Sequence, residues 1–588
     1  MLPFNRPGSP WETGACLFRT PEGRPYPYDP TGRLRNMVFD LFSGEPGHGK
    51  SVLLNSVNLG LILSSAAQGA AGAKLPLVRV ADIGVSGKGL IDLVHAALPA
   101  RRRHEAAYIR YENRPEFSVN PFDTQVGCRH PLPLERSFLQ NLLSLGCTPI
   151  GEDAPHEGMD QLIGAVITEV YRVCSDAGDN KTPKRYLPGL VPEADAALAR
   201  HRVRLHPDAR WWDVVDALCD CGEHRLAGLA QRHAVPLLED LMTAVRAPAI
   251  AHLYSKPRAR TAETLIELFE RYVTALIDWL PNISQPTVFD TGEARVIVLD
   301  LEDVAPAGSP RDDRQTEIMY LMGRHILGRD MFLRPGYVRY VPERVRAYHR
   351  KRFGEVKETT KRLCYDEFHR AGRRPRIVAQ VQIDRREGRK HNLHVALCSQ
   401  MQADFPPELV QQATGIFLLG AGNEDANLEA ARRFNLSPAG AQVVRHRLKG
   451  PGKKGEGAPF LAVFSLRAGA RVEQMLFNSL GSVELWALST RPADVALRDR
   501  LYAALGAAET WQRLSRVFPL GTAEEEVDRR RDELVRGGEE EGLAQASVVE
   551  GLARELIDGT GLGIVLRPAE VVALPRRPAP GAGRMAAE

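Results

Sequence analysis

The segment Gly44-Glu45-Pro46-Gly47-His48-Gly49-Lys50-Ser51 sets glycines, a lysine and a hydroxyl at every fixed position of G-x-x-x-x-G-K-[S/T]. Glycines at these positions let backbone N–H groups converge on phosphate oxygens, and a helix starting there adds the positive end of its dipole. Lys50 is expected to reach the β- and γ-phosphates, and the Ser51 hydroxyl to ligate magnesium. The expected cradle is Gly44, Gly47, His48, Gly49, Lys50, Ser51 and Val52, and the expected ligands are ATP and Mg2+.

Binding becomes hydrolysis only with a carboxylate for the metal and a group that activates water. The run Arg362-Leu363-Cys364-Tyr365-Asp366-Glu367 ends in two adjacent acids. Asp366 is expected to hold Mg2+ through its water shell, and Glu367 to orient or deprotonate the attacking water. A competing run, Val296-Ile297-Val298-Leu299-Asp300, also ends in an acid but continues with Leu301. It reads as a supporting core strand. The run from Leu393 to Ser399 delivers Gln400 at its carboxyl end, where ligands bind in open parallel sheets. Gln400 is therefore expected to hydrogen-bond the γ-phosphate or the lytic water. Upstream, Asp384-Arg385-Arg386-Glu387-Gly388-Arg389-Lys390 carries arginines able to stabilise transition-state charge on a neighbouring subunit's nucleotide. Cys219-Asp220-Cys221 with His224 has no second ligand cluster at zinc-like spacing and reads as packing.

These residues need a frame. A strand-like run at 37–42 leads into the glycine-rich loop, and a helix-like run from Ser51 leads out of it. Further strands are expected at 77–82, 108–111, 296–300, 362–367, 393–399 and 416–419, alternating with helical stretches. The fold class expected is α/β: a RecA-like P-loop NTPase core with a predominantly parallel sheet, plus an all-helical insertion. The chain divides, on this reading, into an irregular lead-in (1–36), the first part of the core (37–134), the insertion (135–285), the second part of the core (286–515), C-terminal helices (516–573) and a disordered tail (574–588). A flexible basic loop through Lys453-Lys454-Gly455 is expected to join 441–447 and 460–466 as a hairpin.

A length of 588 residues exceeds one compact core, which agrees with several domains. Hydrophobic content of 44% with 26% charged residues excludes a disordered or membrane-dominated chain. No run of 18 apolar residues occurs, the N-terminus has no signal-peptide core, and the eight scattered cysteines fit a reducing compartment. A cytoplasmic location is expected. A net charge of +4 is too small to argue for nucleic acid. That reading rests on two clusters, Arg344, Arg346, Arg350, Lys351 and Arg352, and then Arg370, Arg373, Arg374 and Arg376. A solvated arginine-rich surface is the competing explanation.

Taken together, these elements resemble the IcmB/DotO/TraU-type ATPases of type IV secretion and conjugation systems, within the wider class of VirB-type secretion traffic ATPases. The resemblance runs through Leu2-Pro3-Phe4, Pro25-Tyr26-Pro27-Tyr28, Gly49-Lys50-Ser51-Val52-Leu53, Asp82-Ile83-Gly84 and Asn120-Pro121-Phe122-Asp123-Thr124-Gln125. It continues in Tyr365-Asp366-Glu367, Gly388-Arg389-Lys390, Ser399-Gln400 and Glu484-Leu485-Trp486-Ala487-Leu488. It implies a RecA-like core and assembly into homo-hexamers. It also implies ATP hydrolysis beside other inner-membrane and ATPase subunits, peripherally at the cytoplasmic base of a secretion channel. Arg389 is the arginine it implies in trans. The family's N-terminal docking region has only residues 1–36 to correspond to it. Two other readings stand beside this one: a DNA-translocating pump on the same core, and a nucleotide-gated scaffold without turnover.

Overall fold

The computed structural model describes residues 8–64, 74–178, 181–254, 256, 263–289, 291, 293–370, 374–420, 422–452, 457–467, 469–538 and 540–559. The expected tail at 574–588, the Lys453-Lys454-Gly455 loop and Arg373 lie outside these residues. Among the described residues eleven strands form one sheet. In chain order they are β1 (Cys16–Arg19), β2 (Pro25–Tyr28), β3 (Phe39–Ser43), β4 (Leu77–Asp82), β5 (Ala106–Arg110), β6 (Val296–Asp300), β7 (Lys361–Tyr365), β8 (Leu393–Ser399), β9 (Gly415–Leu418), β10 (Ala458–Ser465) and β11 (Arg471–Asn478). Their order across the sheet is β2-β1-β11-β10-β9-β3-β8-β7-β4-β6-β5.

From β9 to β5 all pairings are parallel. Strands β3, β4, β6, β7 and β8 are buried at every residue, as strands covered on both faces must be. This is the expected α/β class with a mostly parallel sheet. Helices Pro133–Gly146, Met159–Cys174, Trp211–Asp220, His224–Gln231 and Leu265–Trp279 lie between β5 and β6 in sequence. Among the described residues of that stretch there is no strand, and β-pairing is confined to isolated bridges such as Arg185–Arg210.

Two expectations fail. The lead-in is not wholly irregular: β1 and β2 form a hairpin, and β1 joins the sheet against β11. Nor do 441–447 and 460–466 pair. Pro438–His446 is a helix, with Pro438 in its first turn and the Ser437 hydroxyl accepting from the Gly440 N–H. The partner of β10 is β11, in antiparallel register from Ala458–Asn478 to Ser465–Arg471.

Two charged residues on the buried strands, Asp40 and Arg362, pair with each other. Asp40 on β3 takes Arg35 Nη1 at 2.5 Å and Arg362 Nη1 at 2.9 Å, and Arg362 Nε reaches Asn58 Oδ1 at 2.9 Å. Burial alone would raise the Asp40 carboxyl; the two guanidinium groups more than offset it and hold it below the ordinary range. The segment 120–125 is a similar joint. Gln125 Nε2 bonds Glu135 Oε1 at 2.8 Å, Arg329 Nη2 bonds the Thr124 carbonyl at 3.0 Å, and Thr287 Oγ1 bonds Asp123 Oδ2 at 2.6 Å.

By its internal contacts the chain forms two units, residues 1–490 and 491–588. The second contains the helices Pro492–Leu505, Ala507–Val517, Glu524–Arg536 and Glu541–Asp558, so the break falls before 492 rather than after 515. Its core holds Leu497, Leu501, Trp511, Leu514, Leu552 and Leu556.

Candidate functional site

Strand order decides which side chains can meet. The glycine-rich loop leaves the end of β3, the acid pair leaves the end of β7, and β8 runs between them. The carboxyl ends of all three lie at one edge of the sheet, so the loop, Gln400 and the acid pair become neighbours.

The loop is shaped by its glycines. Gly47 and Gly49 have φ of +80° and +86°, a left-handed backbone that suits glycine, and Gly49 caps the helix Lys50–Leu63. The Gly44 N–H donates to the Ser399 carbonyl at 3.3 Å, tying the loop to the tip of β8. His48 Nδ1 lies 2.8 Å from the Leu419 carbonyl oxygen. A side chain at Gly420 would meet the His48 ring at 2.5 Å.

The lysine meets the acid. Lys50 is 6% exposed, and its Nζ lies 2.9 Å from Glu367 Oε1. Gln400 Nε2 donates to the other oxygen, Oε2, at 2.9 Å, and His369 Nδ1 stands 2.9 Å from that same oxygen. Burial would raise the Glu367 carboxyl, but His369 and the Lys50 ammonium outweigh it and hold the group at about 2. Glu367 is therefore an anion through the physiological range.

The two adjacent acids diverge because the backbone turns between them. The Asp366 N–H continues the ladder of β7 to the Ala81 carbonyl at 2.9 Å. Glu367 then adopts φ of +52°, unusual for a residue with a side chain, and the Arg370 N–H closes the turn on its carbonyl at 3.0 Å. Asp366 stays 1% exposed while Glu367 faces the loop. Strain at such a position persists only where the surroundings hold it.

Sequence reasoning gave no role to three nearby residues. Ser86 Oγ lies 3.0 Å from Asp366 Oδ2 and 2.9 Å from Asp82 Oδ2. The Gly87 N–H donates to Asp82 Oδ2 at 2.7 Å. Burial, and then the neighbouring Asp366 carboxylate, push Asp82 well above the ordinary carboxylate range. The signal for Asp82 was present as an acid at the end of an apolar run. Ser86 and His369 had none, because their roles depend on β4 lying beside β7 and on the left-handed turn at Glu367.

Asp300 is committed elsewhere. It accepts from Tyr108 Oη at 2.7 Å and from the Gly84 N–H at 3.0 Å, two strands away from β7. Arg389 is exposed in the turn Arg389–His391, before the start of β8, whereas Gln400 follows its end. The seven residues of β8 separate them by roughly 20 Å. Arg389 therefore cannot serve the Lys50 of its own chain.

For Mg2+ the residues fit. Among the described residues no group of three or more His, Cys, Asp or Glu could hold a metal unaided. Mg2+ is ordinarily held by one or two protein ligands with phosphates and water. The Ser51 hydroxyl and the buried Asp366 carboxylate are the groups that would supply that set.

The expected basic clusters are largely spoken for. Arg344 pairs with Asp216 and Asp220, Arg346 with Glu343, Arg352 with Asp330, and Arg374 with Asp313. Arg376 Nη2 donates to the Asp153 carbonyl. Arg370 makes no ion pair among the described residues and lines a cleft of about 650 Å³ with His369, Gln400 and Arg314.

No protein-family model matches this chain, and no curated protein sequence matches it. Among solved structures, VirB4 of Thermoanaerobacter pseudethanolicus is similar to it. That match has 16% identity and a TM-score of 0.47, and covers 79% of this chain and 97% of that one. No helix among the described residues is long and apolar enough to cross a membrane.

Proposed function

We propose that this chain is a Mg2+-dependent ATPase and the motor subunit of a type IV secretion or conjugation apparatus. The observation that carries the ATPase reading is the meeting of Lys50 and Glu367 at 2.9 Å across the tip of β8, with Asp366 buried beside them. The two acids at the end of β7 offer what hydrolysis needs beyond binding, one carboxylate for the metal and one for the attacking water. The secretion setting is supported by the sequence resemblance, chiefly the segments 120–125 and 484–488.

Lys50 would leave Glu367 for the β- and γ-phosphates, and the backbone N–H groups of 47–51 would hold the rest of the phosphate chain. Ser51 and Asp366 would hold Mg2+, which when bound supplies charge neutralisation on the phosphates. Glu367, freed from Lys50, would accept the proton of the attacking water, which displaces ADP from the γ-phosphorus and leaves inorganic phosphate. Gln400 would hold the carboxylate rather than the γ-phosphate, given the bond it makes. Arg389, too far from its own site, would act on the nucleotide of a neighbouring copy in a homo-hexamer. Docking to inner-membrane and partner ATPase subunits belongs to the same proposal.

The test is ATP turnover against protein concentration, with light-scattering mass, for wild type and Glu367→Gln. Turnover should rise as rings assemble, and the variant should lose about 10²- to 10⁴-fold in kcat. Tight ATP binding without turnover in any assembly state would leave the scaffold reading in its place.

A further inference from the structure

We infer that His369 is a positioning residue for Glu367, and this rests on the ATPase reading above. Three groups surround the Glu367 carboxylate. Lys50 takes Oε1, while Gln400 and His369 share Oε2. The Gln400 contact is a well-formed hydrogen bond. The His369 contact is not: Nδ1 is 2.9 Å away, yet that buried nitrogen has no aligned partner.

The ring cannot easily turn elsewhere. His369 sits in the tight turn Phe368–Arg370, anchored by buried Phe368, whose ring stacks on Phe405 with centroids 6.3 Å apart. Its side chain is one-third exposed, at 33%, but Nδ1 faces inward. A buried ring nitrogen without an aligned partner carries a free-energy cost that a Nδ1–H aligned on the carboxylate would remove. Lys50 meanwhile holds the carboxylate by its other oxygen, Oε1.

Nucleotide removes that restraint. Once phosphates take the Lys50 ammonium, the carboxylate can rotate until Oε2 lies on the axis of the Nδ1–H while Gln400 keeps its bond. Oε1 is then the free oxygen, fixed in direction by two donors on its twin. Catalytic hydrogen bonds are often bent before substrate arrives and straighten in the complex. His369 thus aims the acid only in the loaded state, so its removal should slow the chemical step and leave ATP binding alone.

The experiment compares wild type, His369→Ala and His369→Asn, the Asn amide being able to place N–H close to where Nδ1–H sits. Each is read by kcat, KM for ATP, affinity for a non-hydrolysable ATP analogue, melting temperature and assembled mass. The Ala variant should lose about 10- to 100-fold in kcat, the cost of a misaimed group, with KM and analogue affinity within about twofold. The Asn variant should recover most of that loss. A second readout needs no turnover: nitrogen NMR of the His369 ring, assigned by difference from the Ala variant, should show the Nδ1–H tautomer fixed when the analogue is added.

An unchanged kcat in the Ala variant, a KM that rises in step, or an Asn variant no better than Ala would overturn the inference while the ATPase reading stands. Wild-type protein without turnover at any assembly state would sink the ATPase reading, and the role of His369 with it. A ring tautomer indifferent to the analogue would overturn the contact in either case.

Discussion

Two clusters in this sheet are built from similar parts and behave differently. Around Asp40, two arginines and an asparagine close on one carboxylate, and the Asp40, Arg35 and Arg362 side chains have no exposure at all. Around Glu367, a lysine, a glutamine and a histidine close on another, but the acid keeps 19% of its surface and sits on a left-handed backbone. Both carboxyls are held below their ordinary range, so the depression alone does not separate structure from function. Exchangeability does. Nothing can replace an arginine at Asp40, whereas under the proposed function a phosphate chain would take Lys50 from Glu367.

The largest effect expected from this contrast is at the closed cluster. Asp40→Ala strands two buried guanidinium groups, and should cost about 3–5 kcal/mol in denaturant melts. Lys50→Met should cost less, about 1–3 kcal/mol, because Glu367 keeps part of its exposure and its bond to Gln400. If the Lys50 variant were the more destabilised, the contrast would be broken.

A pH series sharpens it further. With the folded carboxyl of Glu367 at about 2 against an ordinary value of 4.5, its stabilising contribution is present above 4.5 and lost as pH falls toward 2. The stability difference between wild type and Glu367→Gln should therefore be constant near neutrality and shrink through that acid window. A difference that grew on acidification would mean the carboxyl is not held low.

A smaller effect is expected at Ser86, whose hydroxyl lies against both Asp366 and Asp82. Ser86→Ala should lower stability by about 1 kcal/mol. It should also raise the Mg2+ concentration needed for half-maximal nucleotide binding, while Ser86→Thr should restore it. Unchanged Mg2+ dependence would make Ser86 part of the closed, structural kind of cluster.

The parallel strands were legible because strands buried on both faces read as continuous apolar runs, as in Val296–Asp300 and Leu393–Ser399. The antiparallel strands were not. Pro25–Tyr28 carries two prolines, and Arg471–Asn478 begins with partly exposed polar residues, so neither shows an apolar run. The helix at Pro438–His446 was misread because Val443-Val444 resembles a strand, while the decisive signal was Ser437-Pro438. At the site, residues tied to a linear pattern could be named in advance: Lys50, Ser51, Asp366 and Glu367. His369 and Ser86 depend on a backbone turn and a strand adjacency that no local spacing encodes.

The position of β8 has a mechanical side. It is hydrogen-bonded to β3 on one flank and β7 on the other, so it can neither shorten nor buckle. At one end it carries exposed Arg389; at the other, Ser399 grips the glycine-rich loop and Gln400 grips the acid. Under the proposed function such a strand would act as a pushrod. A neighbour that pressed on the Arg389 end would deliver its stroke to the loop and the acid together, shifting both by one displacement rather than two.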